Sequence, residues 1–427
     1  MSTICAISTR NGGAIGIVRT SGPDAIAITD KIFHNKNNKS LAQAKPYSIL
    51  YGSITDSNTI VDEVLVSVFR APKSYTGEDC TEISCHGSSY ILNKVVELLL
   101  RNGCEMARPG EFTQRAFLNG RMDLSQAEAV ADLIASQNKA SHRIAMQQMR
   151  GGYSLKLKSL RQQLLELTTL LELELDFSEE DVEFADRNKL VSVAERIKNE
   201  ITQLTETFHL GNAIKNGIPV AIIGAPNVGK STLLNALLKE DKAIVSNIQG
   251  TTRDLIEDTV TIGEITFRFI DTAGIRHTDD AIEKLGIERS RKAANKAKII
   301  ILITEPGIEF PHIDIKPDQT IIKIYNKTDS FQALYGIGIK ELEEQLLASV
   351  QLDQTDNIII TNLRHFEALS LAKEDITRSI EAFRINLPGD LISEDLRQCL
   401  NHLGEIIGEI TNNDILANIF DNFCIGK

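Results

Sequence analysis

The stretch that decides the fold of this chain is a glycine-rich loop, Gly224-Ala225-Pro226-Asn227-Val228-Gly229-Lys230-Ser231. It matches the pattern G-x-x-x-x-G-K-[ST], in which glycines let backbone N–H groups curl around phosphates. An apolar run, Ile218 to Ile223, precedes the loop, and a helix-like segment, Thr232 to Lys239, follows it. A strand, this loop and a helix in that order predict a phosphate-binding loop in an α/β domain.

Two later motifs narrow the choice of nucleotide. Asp271-Thr272-Ala273-Gly274 follows the predicted strand Ile265 to Ile270, which puts a carboxylate near the Mg²⁺ shell and a glycine N–H near the γ-phosphate. Asn326-Lys327-Thr328-Asp329 follows the predicted strand Thr320 to Tyr325. Because guanine offers N1–H and N2–H donors that adenine lacks, the carboxylate of Asp329 favours GTP.

The segment after Asp329 is unusually short. Only Ser330 and Phe331 separate it from Gln332-Ala333-Leu334, where GTPases commonly keep a longer segment that leads to a Ser-Ala-Lys loop. The sequence therefore leaves open whether this loop contacts the base.

A predicted switch segment, Gly250 to Asp254, lies between the loop and the later motifs. Its Thr252 hydroxyl is expected to join Ser231 on Mg²⁺ and to order the segment while the γ-phosphate is present. Ile275 follows the second motif, and an aliphatic side chain cannot orient an attacking water. Glu283 is the candidate for that role, and its alternative interpretation is a solvated carboxylate at the start of a helix.

Outside this α/β part, the sequence shows two kinds of secondary-structure pattern. Residues 1–118 read as α+β, with β-branched runs at Ala14 to Val18, Val61 to Phe69 and Thr81 to Ser84, and helical spacing from Tyr90 to Leu100. Residues 125–210 and the chain beyond 338 carry apolar residues at helical spacing. The carboxylate-rich run Asp176 to Glu183 predicts an exposed turn within the first helical block.

Between the helical blocks, strands alternate with helices, which predicts a mostly parallel sheet with helices on both faces. Because two helical blocks flank this α/β part, we expect them to join into one helical domain into which the α/β domain is inserted. The predicted domains are residues 1–118, 119–215, 216–350 and 351–427.

Composition excludes several classes of protein. The 427 residues carry 46 Lys and Arg against 58 Asp and Glu, a net charge of −12, so a uniformly basic nucleic-acid coat is ruled out. No apolar run approaches the ~20 residues of a membrane-spanning helix, and the first residues show no export signal. We therefore expect a cytoplasmic protein that does not cross a membrane, with its six scattered cysteines reduced.

Several motifs taken together resemble those of the MnmE (TrmE) family of tRNA-modification GTPases. Beside the nucleotide motifs, the resemblance rests on five segments: Gly12 to Arg19, Ser74 to Asp79, Arg108 to Thr113, Arg115 to Arg121, and the closing Phe423-Cys424-Ile425-Gly426-Lys427. It implies a folate-binding and dimerising N-terminal domain, a helical domain made of two chain segments, and a GTPase domain between them.

The resemblance also implies a site for a 5-formyl- or methylene-tetrahydrofolate carrier. Arg19, Glu82, Arg121 and Lys427 fall at positions matching the folate site of the family. Glu82 suits the amino and amide N–H groups of the pterin ring, and the cationic side chains suit carboxylates. Cys424 matches a family cysteine proposed as a nucleophile or proton donor.

For the nucleotide, the resemblance implies GTP, Mg²⁺ and an activating K⁺. It assigns K⁺ contacts to Asn227, Ser246, Ile248 and Thr251, and the water-orienting role to Glu283. Together with the motifs, it assigns nucleotide contacts to four runs: Asn227, Val228, Gly229, Lys230, Ser231 and Thr232; Ser246, Asn247, Ile248, Gln249, Gly250, Thr251 and Thr252; Asp271, Thr272, Ala273 and Gly274; and Asn326, Lys327, Thr328 and Asp329.

The implied activity is modification of C5 of the wobble uridine of tRNA, by a homodimer working with an MnmG (GidA)-like flavoprotein in a heterotetramer. An alternative is an Era-like GTPase switch that acts in ribosome assembly. An added RNA-binding domain with basic and aromatic clusters would favour that alternative, and the sequence shows none.

Overall fold

The computed structural model describes residues 1–9, 12–35, 39–57, 59–176, 187–240, 258–270, 292–317, 319–350, 358–410, 413–421 and 423–426. The chain forms two compact units. One contains Met1–Ala131, Gln148–Lys158 and Leu403–Lys427, and the other contains Asp132–Gln147 and Ser159–His402. The domain boundaries drawn from the sequence stay predictions.

The first unit contains a seven-stranded sheet. Its strands are β1 (Ile4–Ile7), β2 (Ile15–Ser21), β3 (Phe33–His34), β4 (Ser48–Asp56), β5 (Thr59–Phe69), β6 (Cys80–His86) and β7 (Glu105–Met106). Their order is β3-β4-β5-β6-β2-β1-β7, and all neighbours are antiparallel except β1 and β7. The three β-branched runs fall on β2, β5 and β6, so the α+β prediction is confirmed, whereas β1, β3, β4 and β7 were not predicted.

The register between β2 and β6 brings two candidate site residues together. Val18 and Ile83 are cross-strand partners and lie fully buried in the core under one face of the sheet. Because side chains alternate along a strand, their neighbours Arg19 and Glu82, also cross-strand partners, point to the other face. An arginine and a glutamate 63 positions apart in sequence thus become an ion pair.

The second unit contains a five-stranded sheet. Its strands are β8 (Ile218–Ile223), β9 (Asp258–Ile262), β10 (Ile265–Phe269), β11 (Ile299–Thr304) and β12 (Thr320–Tyr325). The order is β12-β11-β8-β10-β9, with every pair parallel except β9 and β10. All six residues of β11 are buried, as expected for a central strand of a parallel sheet.

Both faces of this sheet are covered. Along β8, Val220 packs into one apolar cluster and Ala221 into another. The first cluster includes leucines of α9 (Lys230–Glu240), and the second includes alanines of residues 293–297. The predicted parallel sheet with helices on both faces is therefore confirmed.

The remaining helices mostly fall where apolar spacing predicts them, whereas those at Ala25–Ile32 and Glu111–Leu118 were not predicted. They are α1 (Ala25–Ile32), α2 (Ser89–Arg101), α3 (Glu111–Leu118), α4 (Leu124–Ala135), α5 (Lys139–Met149), α6 (Gly152–Asp176), α7 (Arg187–Glu206), α8 (Phe208–Asn216), α10 (Ile339–Ala348), α11 (Leu363–Arg384), α12 (Gly389–Ile407) and α13 (Asn413–Phe420), with a short 3₁₀ turn at Leu41–Gln43. Within the described ranges, none of the helices combines the length and apolar character needed to cross a bilayer. The predicted turn after Asp176 lies outside the described residues.

Helices from before and after the α/β part pack on one another in the second unit. α7 packs along α11, and the rings of Phe208 and Phe366 stack with centroids 4.4 Å apart. Arg397 of α12 pairs with Glu172 of α6 at 2.6 Å. These contacts confirm that the α/β part is inserted into a helical domain made of two chain segments.

A single glycine permits one of these contacts. The Cβ of an alanine at Gly211, in α8, would lie 2.1 Å from the carbonyl oxygen of Ile360, just before α11. A Gly→Ala change in an ordinary helix stabilises it by about 1 kcal/mol. We expect Gly211→Ala to destabilise the protein by about 1–3 kcal/mol instead, because the backbones are forced apart.

Urea unfolding followed by circular dichroism measures this effect. Asn212→Ala, at an exposed position of the same helix, is the matched control and should change stability by less than about 0.5 kcal/mol. An unchanged or raised midpoint for Gly211→Ala would contradict the close approach.

Candidate nucleotide and folate sites

The phosphate-binding loop connects β8 to α9, as predicted. Gly224 follows the last residue of β8, and Lys230 is the first residue of α9. Lys230 Nζ donates hydrogen bonds to the carbonyl oxygens of Gly224 and Ala225, both at 2.8 Å. Partial burial lowers the pKa of Lys230. The ammonium group thus lies against the loop at a helix N-terminus, where an anionic phosphate is stabilised.

Two glycines of the loop admit no side chain. A Cβ at Gly224 would lie 2.2 Å from the carbonyl oxygen of Ile303 in β11. Gly229 has a φ of +99°, and a Cβ there would lie 2.3 Å from Nδ2 of Asn326. The loop therefore rests directly on β11 and on Asn326.

Asn326 joins the loop to the guanine motif. Its side chain is buried; Nδ2 donates to the carbonyl oxygen of Val228 at 2.8 Å, and Oδ1 accepts from the N–H of Ala333 at 3.1 Å. Both ends of the amide are satisfied, as a buried polar group requires. One side chain thus holds two loops that are far apart in sequence.

The short segment after Asp329 folds back as a tight turn. The backbones of Thr328 and Phe331 bond each other in both directions, at 3.1 and 3.3 Å. Phe331 and Ala333 are buried in the core of the α/β part, while Asp329 is exposed. The turn brings Ala333 to Asn326, at the same end of the sheet as the phosphate loop. Contact of this run with the base is not tested by these bonds.

The other guanine-motif residues lie at the carboxyl ends of neighbouring strands. Lys327, whose φ is +62°, pairs through Nζ with Glu305 at the end of β11. Thr328 Oγ1 donates to the carbonyl oxygen of Tyr325, the last residue of β12. Ligands of open α/β sheets bind at this edge. The structure therefore brings Asn227 to Thr232 and Asn326 to Asp329 to one end of the sheet.

The remaining nucleotide-site predictions lie outside the described residues. These are Ser246, Asn247, Ile248, Gln249, Gly250, Thr251 and Thr252, the motif Asp271, Thr272, Ala273 and Gly274, and Glu283. Lys427, predicted for the folate site, also lies outside them.

The first unit carries a second candidate site, centred on Arg19 and Glu82. Arg19 Nε and Nη2 both donate to Oε1 of Glu82, at 2.9 and 2.7 Å. Arg19 Nη1 donates to the carbonyl oxygen of Gly426 at 3.5 Å. The arginine therefore links the sheet to the C-terminal tail, defined here as residues 423–426.

Two hydrogen bonds and one close backbone approach hold this tail. Ser8 Oγ donates to the carbonyl oxygen of Gly426 at 3.2 Å. The N–H of Gly110 donates to the carbonyl oxygen of Cys424 at 3.4 Å. A Cβ at Gly426, where φ is +89°, would lie 2.4 Å from the carbonyl oxygen of Ile7. The exposed thiol of Cys424 is thus held on the same part of the unit as Arg19 and Glu82.

Arg121 lies beside the loop that joins β5 to β6. A Cβ at Gly77 of that loop would lie 3.3 Å from Cγ of Arg121, and Asn119 Nδ2 donates to the carbonyl oxygen of Thr76 at 2.7 Å. Arg121 itself is exposed. The structure therefore places Arg121 at the loop between β5 and β6, and no hydrogen bond joins it to Arg19 or Glu82 among the described residues.

Comparison with known proteins identifies the family. The model for the N-terminus of the GTP-binding protein TrmE matches residues 3–121, and the model for the MnmE helical domain matches residues 124–424. The chain belongs to the MnmE (TrmE) family. The MnmE helical-domain match extends across the five-stranded sheet, as expected for an α/β domain inserted into a helical one.

Relatives over the full length agree with this assignment. The chain is 52% identical to the tRNA modification GTPase MnmE of Bacteroides fragilis and to that of Bacteroides thetaiotaomicron, covering 100% of this chain and 99% of each relative. It is 48% identical to the MnmE of Christiangramia forsetii, with the same coverage. Among solved structures, the cytosolic domain of the T. maritima FeoB iron transporter is 15% identical to this chain. The match covers 45% of this chain and 98% of the FeoB chain, with a TM-score of 0.22.

The glycine that lets the tail approach Ile7 gives a testable prediction. In Gly426→Ala, the new Cβ would clash with the Ile7 carbonyl oxygen at 2.4 Å, and the residue would have a strained φ. We therefore expect the tail to detach from Ile7 while the rest of the unit stays folded. Carboxypeptidase should then remove the terminal residues several-fold faster than in the wild type. Ile425→Ala, at an exposed side chain, is the control, and equal digestion of the three proteins would contradict the docking of the tail.

Proposed function

We propose that this chain is a K⁺-dependent GTPase, hydrolysing GTP to GDP and phosphate, that acts in tRNA modification. With an MnmG (GidA)-like flavoprotein, it modifies C5 of the wobble uridine with an aminomethyl-type group built on a tetrahydrofolate one-carbon unit. The observation that carries the nucleotide part is the buried Asn326, which ties Val228 of the phosphate loop to Ala333. The relatives are tRNA modification GTPases, which supports tRNA as the substrate.

Asp329 selects the base in this proposal. Its exposed carboxylate follows the anchored Asn326 by three residues and is free to accept N1–H and N2–H of guanine. Base selection by hydrogen bonds is strong, because an unmatched base leaves site groups unpaired.

Asp329→Asn tests base selection directly. An amide offers a donor where xanthine has its C2 carbonyl, so we expect GTP affinity to fall by about 100-fold and XTP affinity to rise by a comparable factor. Titration with fluorescent GDP and competition by XTP measure both changes. Ser330→Ala, one residue away and exposed, is the control and should leave both affinities within twofold of wild type. A loss of GTP affinity in Asp329→Asn without a gain of XTP affinity would contradict the assignment.

The cation sites follow from oxygen chemistry. Ser231 and Thr252 carry hydroxyl oxygens that suit Mg²⁺, which would neutralise phosphate charge there. Asn227 is exposed in the phosphate loop with a φ of +62°, so its side-chain oxygen is accessible to K⁺, together with Ser246, Ile248 and Thr251. Glu283 would orient the attacking water.

The Arg19–Glu82 pair supports the folate part of the proposal. Glu82 is about one quarter exposed, and its carboxylate suits the N–H donors of a pterin ring. Arg121 and Lys427 are the cations available for the carboxylates of a 5-formyl- or methylene-tetrahydrofolate. Cys424 would act beside this site as a nucleophile or proton donor.

An open face of the seven-stranded sheet supports a homodimer. Ile49 and Tyr51 of β4 and Leu65 of β5 are 66%, 49% and 45% exposed on one face, and Tyr51 and Leu65 are cross-strand partners. Exposed apolar patches of this kind mark protein interfaces. Because β5 pairs with β6, with Ser67 opposite Glu82, a second copy covering this face borders the folate site.

Two measurements test the proposal as a whole. GTP hydrolysis should be several-fold faster in K⁺ than in Na⁺ at equal ionic strength; equal, negligible rates would contradict the K⁺ dependence. Mass spectrometry of tRNA nucleosides from cells lacking the protein should show loss of C5-modified wobble uridines. Unchanged nucleosides together with defective ribosome assembly would favour the Era-like alternative.

A further inference from the structure

Two motifs of the chain have no role in the function proposed so far. They are Ser74-Tyr75-Thr76-Gly77-Glu78-Asp79, between β5 and β6, and Arg108-Pro109-Gly110-Glu111-Phe112-Thr113, which leads into α3. Contacts from both converge on Arg19, the arginine that pairs with Glu82.

One aromatic ring from each motif lies against the Arg19 guanidinium. Its central carbon is 5.5 Å from the ring centroid of Tyr75 and 5.6 Å from that of Phe112. Both distances fall within the range of cation–π attraction. Phe112 is fully buried and Tyr75 is partly exposed. We name these two rings the aromatic clamp.

The Tyr75 ring is itself fixed in place. Its hydroxyl and the Thr113 hydroxyl are 2.8 Å apart, within hydrogen-bond distance, which joins the two motifs next to the clamp. Burial raises the pKa of Tyr75, so the hydroxyl keeps its proton across the physiological range. The ring thus cannot move away from Arg19 without breaking a bond to a fully buried threonine.

A buried ionic network locks the two motifs together behind the clamp. Arg115 of α3, 4% exposed, donates through Nη2 to Oε1 of Glu111 at 2.9 Å and through Nη1 to Oε2 of Glu78 at 3.2 Å. Oε2 of Glu78 also accepts from Ser21 Oγ at 2.6 Å, two residues after Arg19 on β2. Burial alone would raise the pKa of Glu111, but the Arg108 N–H and the Arg115 guanidinium outweigh it and lower that pKa.

Arg19 meets Glu82 through a single carboxylate oxygen. Two guanidinium N–H groups reach the same oxygen, Oε1, while Nη1 points to the carbonyl oxygen of Gly426. Among the described residues, no hydrogen bond reaches Oε2 of Glu82. One carboxylate oxygen is thus held by the arginine, and the other is available to an external donor.

We propose that the aromatic clamp positions Arg19 so that Glu82 presents Oε2 to the ring N–H donors of a reduced pterin while Arg19 holds the tail at Gly426. This inference rests on the proposed folate function and assigns it two positioning residues, Tyr75 and Phe112. Neither ring needs to touch the pterin. Arg19 in this arrangement orients Glu82 and the tail, which leaves the carboxylates of the ligand to the other cations.

The test compares leucine and phenylalanine at position 75 in the full-length protein. Tyr75→Leu removes the ring while keeping an apolar side chain, and Tyr75→Phe keeps the ring and removes only the hydroxyl. Calorimetry with 5-formyl-tetrahydrofolate should give a Kd about tenfold weaker for Tyr75→Leu and within twofold of wild type for Tyr75→Phe. Tyr90→Leu, at a 71% exposed tyrosine of α2, is the matched control and should bind as wild type does.

A second measurement reports on Arg19 without any ligand. The ¹H–¹⁵Nε resonance of Arg19, assigned with Arg19→Lys, should lie upfield because of the two ring currents and should move downfield in Tyr75→Leu but not in Tyr75→Phe. A thermal melt checks that each variant is folded; if Tyr75→Leu does not fold, Tyr75→Met takes its place with the same expectation.

The outcomes separate the two proposals. If the wild type binds 5-formyl-tetrahydrofolate and Tyr75→Leu binds equally well, the clamp is overturned and the folate function stands. If Tyr75→Phe is as weak as Tyr75→Leu, the hydroxyl rather than the ring matters, and the clamp is again overturned. If the wild type does not bind 5-formyl-tetrahydrofolate, the proposed folate function is contradicted. The assignment of a pterin to Glu82 is then contradicted too, whatever the Arg19 resonance shows.

Discussion

The two hydrogen bonds of the Asn326 side chain are the interactions on which the nucleotide site depends. A buried amide must find both a donor and an acceptor partner, and here these are the carbonyl of Val228 and the N–H of Ala333. Satisfying both ends draws the phosphate loop and the segment after the guanine motif to the same strand ends. The absence of a side chain at Gly229 is required by the same contact, because a Cβ there would collide with the amide.

In the first unit, too, one polar side chain joins segments that are distant in sequence, and here it is Arg19. Arg19 has donors on several nitrogens, and it distributes them between Glu82 on the neighbouring strand and the backbone of Gly426, 407 positions away. Close backbone approach again depends on a glycine, since a side chain at Gly426 would meet Ile7. Both sites are therefore assembled by a buried or half-buried polar side chain that bridges distant segments, with glycine allowing the approach.

The helical segments explain how one chain carries both sites. Helices on either side of the α/β part pack on one another through α7 and α11 and through the Glu172–Arg397 pair. After the α/β part, the chain thus returns to its own first helical block, and it then continues to the tail that docks beside Arg19. The segment Leu403–Lys427 belongs to the first unit, together with Arg19 and Glu82.

Local patterns in the sequence were sufficient for the phosphate loop, the parallel sheet, the helical blocks and the family, because each is encoded by neighbouring residues: glycines at fixed spacing, β-branched runs and apolar periodicity. The strands β1 and β4 escaped prediction because β1 spans only four residues and β4 interrupts its apolar residues with serine, glycine and threonine. Only the tertiary structure decided that Gln332-Ala333-Leu334 reaches Asn326, that the tail lies on Arg19, and that Tyr75 and Phe112 flank that arginine. These arrangements depend on strand register and on the burial of Phe331 and Phe112, which bring together residues from distant parts of the chain, so no local pattern records them.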